Sequence, residues 1–269
     1  MHLAKNALDS RGILNPQAVG RKFEMQRYWP TPGLDQFVER YWHIRWDLRG
    51  EAPHEQETLP YPCVNMVIEA RCSRIYGVVS RKFVRRLEGQ GQVLGIKFKP
   101  GGFYPFIESS VADLTDTSIP IGDVFGPASE QLEATVMAEN EGHKMVEHVE
   151  AFLCVRLPQP DDNVRCVNQI IDGIMHNRSI LKVDDVVAEF DLSKRSLQRL
   201  FRQYVGISPK WVIQRSRLQE AADQLATESG GDLPKMALEL GYYDQAHFIK
   251  DFKAIIGSTP AEYARNAGL

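Results

Sequence analysis

The chain has 269 residues, of which 43% are hydrophobic and 25% are charged, a composition typical of a folded globular protein and not of a disordered one. It contains no run of about 18 apolar residues, and its first 21 residues lack the apolar segment of a signal peptide. These absences predict a cytoplasmic protein that does not use a membrane as a partner. The net charge of −3 argues against a uniformly basic nucleic-acid binder.

The first half of the chain consists mainly of short, β-rich stretches bounded by Pro, Gly or Ser. A lead-in without clear periodicity covers about residues 1–24. Several short strands at this spacing predict a small barrel or sandwich, and the pattern then changes to helical periodicity, which predicts flanking helices. The predicted elements are a short helix from Leu34 to Arg40, strands at residues 41–48, 64–70, 74–79 and 92–98, and helices within residues 129–157.

A glycine-rich stretch in this half has two interpretations. Gly89, Gly91 and Gly95 superficially resemble a phosphate-binding loop. The stretch leads into a strand, however, so it lacks the helix N-terminus that would hold a phosphate. A hairpin turn is the favoured interpretation.

Metal-ligating residue types also occur in this half. His43, His54, Glu55 and Glu57 could supply ligands inside a barrel, as in a metal-dependent enzyme, but their spacing matches no metal motif. The cysteines are scattered without a paired motif, which favours buried free thiols. We therefore predict no metal, no cofactor and no catalytic residues. The four cysteines are Cys63, Cys72, Cys154 and Cys166.

A group of aromatic residues near the start of the β-rich half allows a further alternative. Aromatic side chains can line the pocket of a small-molecule ligand, because such pockets have mainly apolar walls. The same side chains more often form a hydrophobic core, which is the favoured interpretation. The group consists of Tyr28, Trp29, Tyr41, Trp42 and Trp46.

A Pro-rich break from Leu157 to Asp162 separates the two halves. We predict one domain at residues 1–157, a linker at 158–162 and a second domain at 163–269. The second domain carries 14 Lys and Arg against 13 Asp and Glu, a net charge of +1, and its pattern is helical throughout. The predicted fold class is therefore α+β, with a β-rich first domain and an all-α second domain.

The stretch from Leu192 to Leu218 concentrates positive charge, with seven Lys or Arg and no Asp or Glu. Within it an apolar stripe and an Arg/Gln stripe follow helical spacing on different faces, after a Ser that can cap the helix. Such a helix suits the DNA major groove, where Arg reads guanine and Gln reads adenine. A solvated basic face is an equal alternative for this stretch alone. The apolar stripe is Leu197, Leu200, Phe201 and Tyr204.

An internal repeat decides between these alternatives. Leu197, Phe201, Gly206 and Pro209 recur 51 residues later as Phe248, Phe252, Gly257 and Pro260. Each copy predicts a helix-turn-helix unit that ends in a left-handed glycine. Ser208 and Thr259 then can cap the helix that follows. A long helix over about residues 209–227 joins the units, so two recognition helices could enter successive major-groove segments.

These motifs resemble the AraC/XylS family of bacterial transcription regulators over about residues 164–265. The resemblance lies in the cores and glycines of both units and in the stretch from Ala237 to Phe248. Pieces around Tyr41, Leu94 and Asp113 are similar to the sensor domain of one family branch. Asp191 departs from the family by replacing the usual turn glycine, which Asp tolerates because it can adopt left-handed geometry.

The resemblance implies that residues just inside each recognition helix contact DNA. Arg195 and Arg199 are expected to contact guanine and Gln198 adenine, whereas Arg202 and Lys253 are expected to meet phosphates. Ala246 and Ile249 cannot hydrogen-bond, so the second helix reads thymine methyl groups or merely docks. We therefore expect the first unit to supply most of the base specificity. The full predicted set is Lys194, Arg195, Gln198, Arg199, Arg202, Gln245, Ala246, Ile249, Lys250 and Lys253.

The sequence thus predicts a sequence-specific, DNA-binding transcription regulator and not an enzyme. Double-stranded promoter DNA is the predicted partner. A small-molecule effector bound by the first domain, RNA polymerase and a second copy of the chain are further candidate partners. The alternatives are a metal-dependent barrel enzyme with a helical appendage, and a DNA-binding protein without an effector. His247, in the second recognition helix, could touch a phosphate or pack against the connecting helix.

Overall fold

A computed structural model describes residues 13–14, 20–227 and 232–267. A β-rich region, residues 13–154, precedes a helical region, residues 162–267, as the α+β prediction requires. Most of the predicted lead-in lies outside the described residues. The β-rich elements are β1 (Ile13–Leu14), β2 (Glu24–Tyr28), β3 (Val38–Asp47), β4 (His54–Thr58), β5 (Asn65–Ile68), β6 (Arg74–Tyr76), β7 (Phe83–Leu87), β8 (Gln90–Phe98), β9 (Ser118–Pro120), α1 (Tyr104–Ile107), α2 (Gly122–Phe125), α3 (Ala128–Ala138) and α4 (Gly142–Cys154).

The strands form two antiparallel sheets, with the orders β1-β4-β7 and β2-β3-β8-β5-β6-β9. Both faces of the larger sheet are covered, and successive side chains of β3 point to opposite faces. Tyr41 belongs to the core that also contains buried residues of α3 and α4. Ile44 and Trp46, on the opposite face, belong to a second core that includes Leu87 of β7 in the smaller sheet. The helices and the smaller sheet therefore cover opposite faces of the larger sheet.

The glycine-rich stretch is explained by two tryptophans on the neighbouring strand. Gly91 pairs with Trp46 and Gly95 with Trp42 across β3 and β8. A Cβ atom at Gly91 would lie 2.4 Å from the Trp46 ring, and one at Gly95 would lie 1.9 Å from the Trp42 ring. The glycines thus make room for indole rings and do not cradle a phosphate. The predicted hairpin is wrong, since β7 and β8 belong to different sheets and do not pair.

The short helix predicted from Leu34 to Arg40 is also wrong in extent. Only one 3₁₀ turn, Leu34–Gln36, is helical, and β3 begins at Val38. Val38 pairs with Phe98 and is fully buried. Sheet pairing therefore overrides the local helical pattern.

The aromatic group is mainly core. Tyr28, Tyr41 and Trp46 are buried and Trp42 is half-buried, whereas Trp29 is exposed. The core interpretation therefore describes most of the group, and Trp29 departs from it.

The helical region has two hydrophobic cores arranged along one long helix. Val212 and Ile213, near the start of α8, pack in the first core. Leu218 and Leu225, further along α8, pack in the second core. The connecting helix α8 therefore contributes to both cores and holds them in a fixed relative position. The elements are α5 (Asp162–His176), α6 (Val183–Phe190), α7 (Lys194–Leu200), α8 (Pro209–Thr227), α9 (Leu233–Glu239), α10 (Gln245–Ile256) and α11 (Pro260–Ala267).

The two regions share direct contacts as well as the predicted linker. Leu59 of the β-rich region packs in the second helical core. Trp211 Nε1 donates to the Ser80 carbonyl at 3.1 Å, and Arg215 Nε donates to the Pro60 carbonyl at 2.8 Å. The boundaries 1–157, 158–162 and 163–269 stay a prediction, although α4 ends at Cys154 and α5 begins at Asp162. Within the described residues, no helix has the length and apolar character needed to span a membrane.

Candidate nucleic-acid interface

The first helix-turn-helix unit pairs α6 with α7 through a short turn. Asp191 ends α6 in the left-handed conformation, with φ 49° and ψ 46°, which confirms the predicted tolerance of Asp for this position. Ser193 then caps α7, because its hydroxyl accepts a hydrogen bond from the Ser196 backbone N–H at 3.0 Å. The turn and the cap together set the angle between α6 and α7.

The two faces of α7 separate as the spacing predicts. Leu197 and Phe201 are fully buried and Tyr204 is nearly so, while Leu200 is half-buried. The opposite side exposes a row of polar and basic side chains. Lys194 in this row forms an ion pair with Asp184 of α6 at 2.6 Å, and both side chains remain more than half exposed. The exposed row is Lys194, Arg195, Gln198, Arg199 and Arg202.

The first recognition helix widens at its C-terminal end. From Phe201 to Val205 the backbone is π-helical, and the Gly206 N–H donates to the Phe201 carbonyl at 2.8 Å. Gly206 has φ 89°, which confirms the predicted left-handed glycine. π-helical turns inside α-helices are rare and frequently lie at functional sites.

The second unit repeats the turn and the cap. Gly241 has φ 80° in the turn after α9. Asp244 caps α10 by accepting from the His247 N–H at 2.8 Å. The helix ends at Gly257, with φ 96°, whose N–H donates to the Lys253 carbonyl in the ordinary α-helical manner. The predicted caps of the following helices are also formed, by Ser208 on α8 and Thr259 on α11.

The exposed surface of α10 differs from that of α7. Ala246, Lys250 and Lys253 are exposed, whereas Gln245 and Ile249 are half-buried. Ile249 packs against the second helical core, so only part of its side chain can reach outward. His247 Nε2 lies 3.4 Å from Asp251 Oδ2, and its ring packs edge-on against the Tyr242 ring. This face offers apolar contact and two ammonium groups but few hydrogen bonds to bases.

Two of the seven basic residues between Leu192 and Leu218 are not part of any surface. Arg215 is 7% exposed and Arg217 is 3% exposed. Arg217 donates to the carbonyls of Ile174 and Asn177 at 2.7 and 3.0 Å, so it tethers α8 to the end of α5. Neither arginine belongs to the predicted DNA-binding set, and both satisfy buried carbonyl groups.

The β-rich region contacts the C-terminal end of the first recognition helix. Ser110 Oγ donates to the Arg202 carbonyl at 3.2 Å, and Thr115 Oγ1 donates to the Gly206 carbonyl at 2.5 Å. The rings of Tyr104 and Tyr204 lie 4.1 Å apart between centroids. These bonds satisfy carbonyl groups that the end of a helix leaves open.

Tyr204 also connects this helix end to the linker. Its hydroxyl donates to Asp161 Oδ2 at 2.7 Å. Burial, together with this hydrogen bond, raises the pKa of Tyr204 to about 12, so the hydroxyl remains a donor at neutral pH. The recognition helix is thus fixed to both the linker and the β-rich region.

Tyr243 is a residue that sequence reasoning missed. It directly precedes the cap Asp244 and is 93% exposed. Its ring and hydroxyl are therefore both free to contact a partner, and a tyrosine can offer apolar area and a hydrogen bond together. Its position one residue before a capping Asp was the available signal, since the residue before a cap lies at the leading end of the helix.

The residues considered as metal ligands do not converge. His43 lies in the larger sheet beside Gln92, at 3.2 Å, and His54 lies in the smaller sheet beside Gln56, at 3.3 Å. Burial lowers the pKa of His43, so this ring is neutral near pH 7. The four cysteines are free as predicted, but only Cys63 is buried, so the prediction of buried thiols is wrong for the half-buried Cys166 and the exposed Cys72 and Cys154. Within the part of the chain that the structure describes, no three His, Cys, Asp or Glu side chains are grouped to hold a metal ion.

Comparison with known proteins finds one matching domain family in each half of the chain. Residues 186–266 match a helix-turn-helix domain family, and residues 26–120 match a domain family of unknown function, DUF6597. The transcriptional activator AarP of Providencia stuartii is 37% identical over 93 residues, which cover 35% of this chain and 67% of AarP.

Two further similarities each cover part of the chain. An uncharacterized helix-turn-helix transcriptional regulator of Haemophilus influenzae is 36% identical over 78 residues, 29% of this chain and 26% of that protein. The matched part therefore spans about a quarter of the Haemophilus regulator. The crystal structure of a probable AraC family transcriptional regulator from Rhodopseudomonas palustris is 25% identical, with a TM-score of 0.35, over 40% of this chain and 100% of that one.

Proposed function

We propose that the two helix-turn-helix units of this chain, which belongs to the AraC family of DNA-binding transcription regulators, contribute unequally to the recognition of an operator. α7 reads bases by hydrogen bonding, and α10 contributes apolar and phosphate contacts. The observation that carries this proposal is the face of α7, where Arg195, Gln198 and Arg199 are exposed while the opposite stripe is buried. A buried stripe fixes the helix, so the exposed side chains have a defined position from which to meet base edges.

Each proposed contact follows from side-chain chemistry. Arg195 and Arg199 can donate two hydrogen bonds to guanine O6 and N7, and Gln198 can pair with adenine N6 and N7. Arg202, Lys194 and Lys253 suit phosphates, because a single charged contact carries no base information. On α10, Ala246 and the outer part of Ile249 suit thymine methyl groups. Gln245 and Lys250 complete the set, and Tyr243 joins it at the leading end of α10.

The two units act as one rigid reader in this proposal. The first half of α8 packs in the core of the first unit and the second half in the core of the second unit. Two recognition helices fixed in this way can meet major-groove segments on one face of the duplex, about one helical turn or 34 Å apart. The near-neutral charge of the helical region predicts modest non-specific affinity.

The β-rich region is proposed to respond to a small-molecule effector. Its contacts to the end of α7, through Ser110, Thr115 and Tyr104, offer a physical route by which a change in that region reaches the DNA-binding face. RNA polymerase and a second copy of the chain are proposed as further partners, and a cytoplasmic location follows from DNA as the partner. We propose no catalytic activity, since the residues considered as metal ligands in the enzyme alternative, His43 and His54, lie in separate sheets.

The proposal is tested by selecting bound duplexes from a random pool, with and without a metabolite extract. The selected operator is then measured with the double variant Arg195→Ala/Arg199→Ala. Each lost guanine contact costs about 1–3 kcal/mol, so operator affinity falls by at least about 30-fold for the pair and base preference relaxes at two positions. Arg202→Ala instead weakens all sequences to a similar extent.

The matched control is Arg49→Ala/Arg86→Ala, which removes two charges from exposed ion pairs in the β-rich region. This control should bind the operator as the parent does. If Arg195→Ala/Arg199→Ala also bound like the parent, the assignment of α7 to the major groove would be wrong. A selection that changes when metabolites are added supports an effector, and one that does not change supports the effector-free alternative.

A further inference from the structure

A groove of about 310 Å³ lies between the β-rich region and the first recognition helix. One wall belongs to α1 and the segment after it, and the other belongs to α7 and its π-helical end. No sequence motif predicted this juxtaposition, because the two walls are about 90 residues apart along the chain. The lining residues are Tyr104, Glu108, Ser110, Arg199, Arg202 and Gln203.

Direct contacts fix the two walls relative to each other. Besides the bond from Ser110 to the Arg202 carbonyl, Gln203 Nε2 donates to the Tyr104 hydroxyl at 2.6 Å. The Tyr104 hydroxyl accepts this bond, so its own proton is free to donate to a further acceptor. A Cβ atom at Gly206 would lie 2.8 Å from the Val111 carbonyl oxygen, so the backbones approach closely behind the groove.

The groove presents positive charge with one opposing carboxylate. Arg199 and Arg202 are exposed, and neither forms an ion pair with another described residue. Glu108 is exposed and ends α1 in the left-handed conformation, with φ 50°. The Arg202 guanidinium, a free hydroxyl proton and an amide suit an anion with several oxygen acceptors, and the neighbouring charge of Arg199 favours it, whereas the Glu108 carboxylate repels it.

We propose that this groove receives a backbone phosphate of the DNA that α7 reads, and that Glu108 limits the affinity of that contact. The β-rich region then belongs to the DNA interface itself and is more than a sensor. This inference rests on the proposed function, because it places DNA along α7. Its new content is the phosphate partner of the groove and the opposing role of Glu108.

The test compares DNA affinity for Glu108→Gln, Glu108→Asp and the parent at low and high salt. Two unit charges separated by about 8 Å interact weakly in water, so removing the carboxylate should tighten binding by only about 2-fold. The gain should be alike for operator and unrelated DNA, because phosphates carry no sequence, and it should shrink as salt rises. Glu108→Asp keeps the charge and should bind as the parent does.

A second arm locates the phosphate. Operators that carry a neutral methylphosphonate at successive backbone positions beside the α7 segment are measured with the parent and with Glu108→Gln. At one position, or two adjacent ones, the gain from Glu108→Gln should disappear, because the repelled charge has been removed. The control Glu147→Gln makes the same change of net charge on the exposed face of α4 and should give no gain.

The outcomes separate this inference from the proposed function. If Glu108→Gln binds like Glu147→Gln, or if Glu108→Asp gives the same gain as Glu108→Gln, the inference is overturned. A gain that persists at every neutral position also overturns it. In each case the assignment of α7 still stands if Arg195→Ala/Arg199→Ala loses operator binding, and it fails separately if that variant does not.

Discussion

The two helix-turn-helix units use the same scaffold and expose different chemistry. Both place a capping residue, Ser193 or Asp244, thirteen positions before a left-handed glycine. Between these points, each buries apolar side chains at matching positions. The outward positions match only in part, since Arg199 and Arg202 correspond to Lys250 and Lys253, whereas Arg195 and Gln198 correspond to Ala246 and the half-buried Ile249. The scaffold thus constrains buried and capping positions, whereas the outward positions are free to differ.

The helix ends differ as well. Gly206 donates its N–H five residues back, to Phe201, while Gly257 donates four residues back, to Lys253. The wider turn lies where Ser110 and Thr115 of the β-rich region take up carbonyl groups of the first unit. A side chain of the β-rich region, Lys82, also lies close to Gly257, and its ammonium pairs with Glu57. The first unit is distinguished by hydrogen bonds from the β-rich region to backbone carbonyl groups at the end of its recognition helix.

The largest expected difference concerns the residue before each cap. Leu192 is half-buried in the first core, so Leu192→Ala should lower the free energy of unfolding by about 1–2 kcal/mol, less than a fully buried leucine would cost. Tyr243→Ala should leave stability nearly unchanged and weaken DNA binding by about 1 kcal/mol. Denaturant unfolding and fluorescence titration with the selected operator measure the two quantities.

Tyr243→Phe refines this prediction, because it removes only the hydroxyl. A loss as large as that of Tyr243→Ala assigns the contact to a phosphate hydrogen bond, and a smaller loss assigns it to the ring. Unchanged operator affinity for Tyr243→Ala would remove Tyr243 from the interface.

A smaller effect is expected from single methyl groups of the DNA. Replacing thymine by deoxyuridine removes one methyl group, and burying such a group contributes about 0.8 kcal/mol at most. In the segment read by α10, the replacement should therefore weaken binding by up to about 4-fold at positions near Ala246 or Ile249. In the α7 segment it should change affinity less than about 2-fold. Equal losses in both segments would contradict the apolar reading assigned to α10.

Local features of the helical region could be predicted from the sequence. The turn at Asp191, the caps at Ser193 and Ser208 and the left-handed glycines depend on a few neighbouring residues, and the repeat states most of them twice. The buried stripe of α7 follows from spacing alone. These predictions succeed because the determining interactions lie within one or two helical turns.

Features that depend on distant residues could not be predicted. The burial of Arg217 is decided by carbonyl groups at the end of α5, about 40 residues away. The start of β3 at Val38 depends on pairing with β8, and the role of Gly95 on the Trp42 ring. The groove beside Glu108 joins two regions of the chain. Charge counts and periodicity contain no information about such pairings.

The most direct test of the unequal reading is the affinity of the parent chain for two altered operators. Each operator has one major-groove segment replaced by unrelated sequence. The segment at which Arg199→Ala changes base preference is assigned to α7, and the segment at which Lys250→Ala changes it is assigned to α10. Replacing the α7 segment should reduce affinity at least about tenfold more than replacing the α10 segment, since two or three base contacts of about 1–3 kcal/mol are lost. An equal loss, or a greater loss from the α10 segment, would contradict the account.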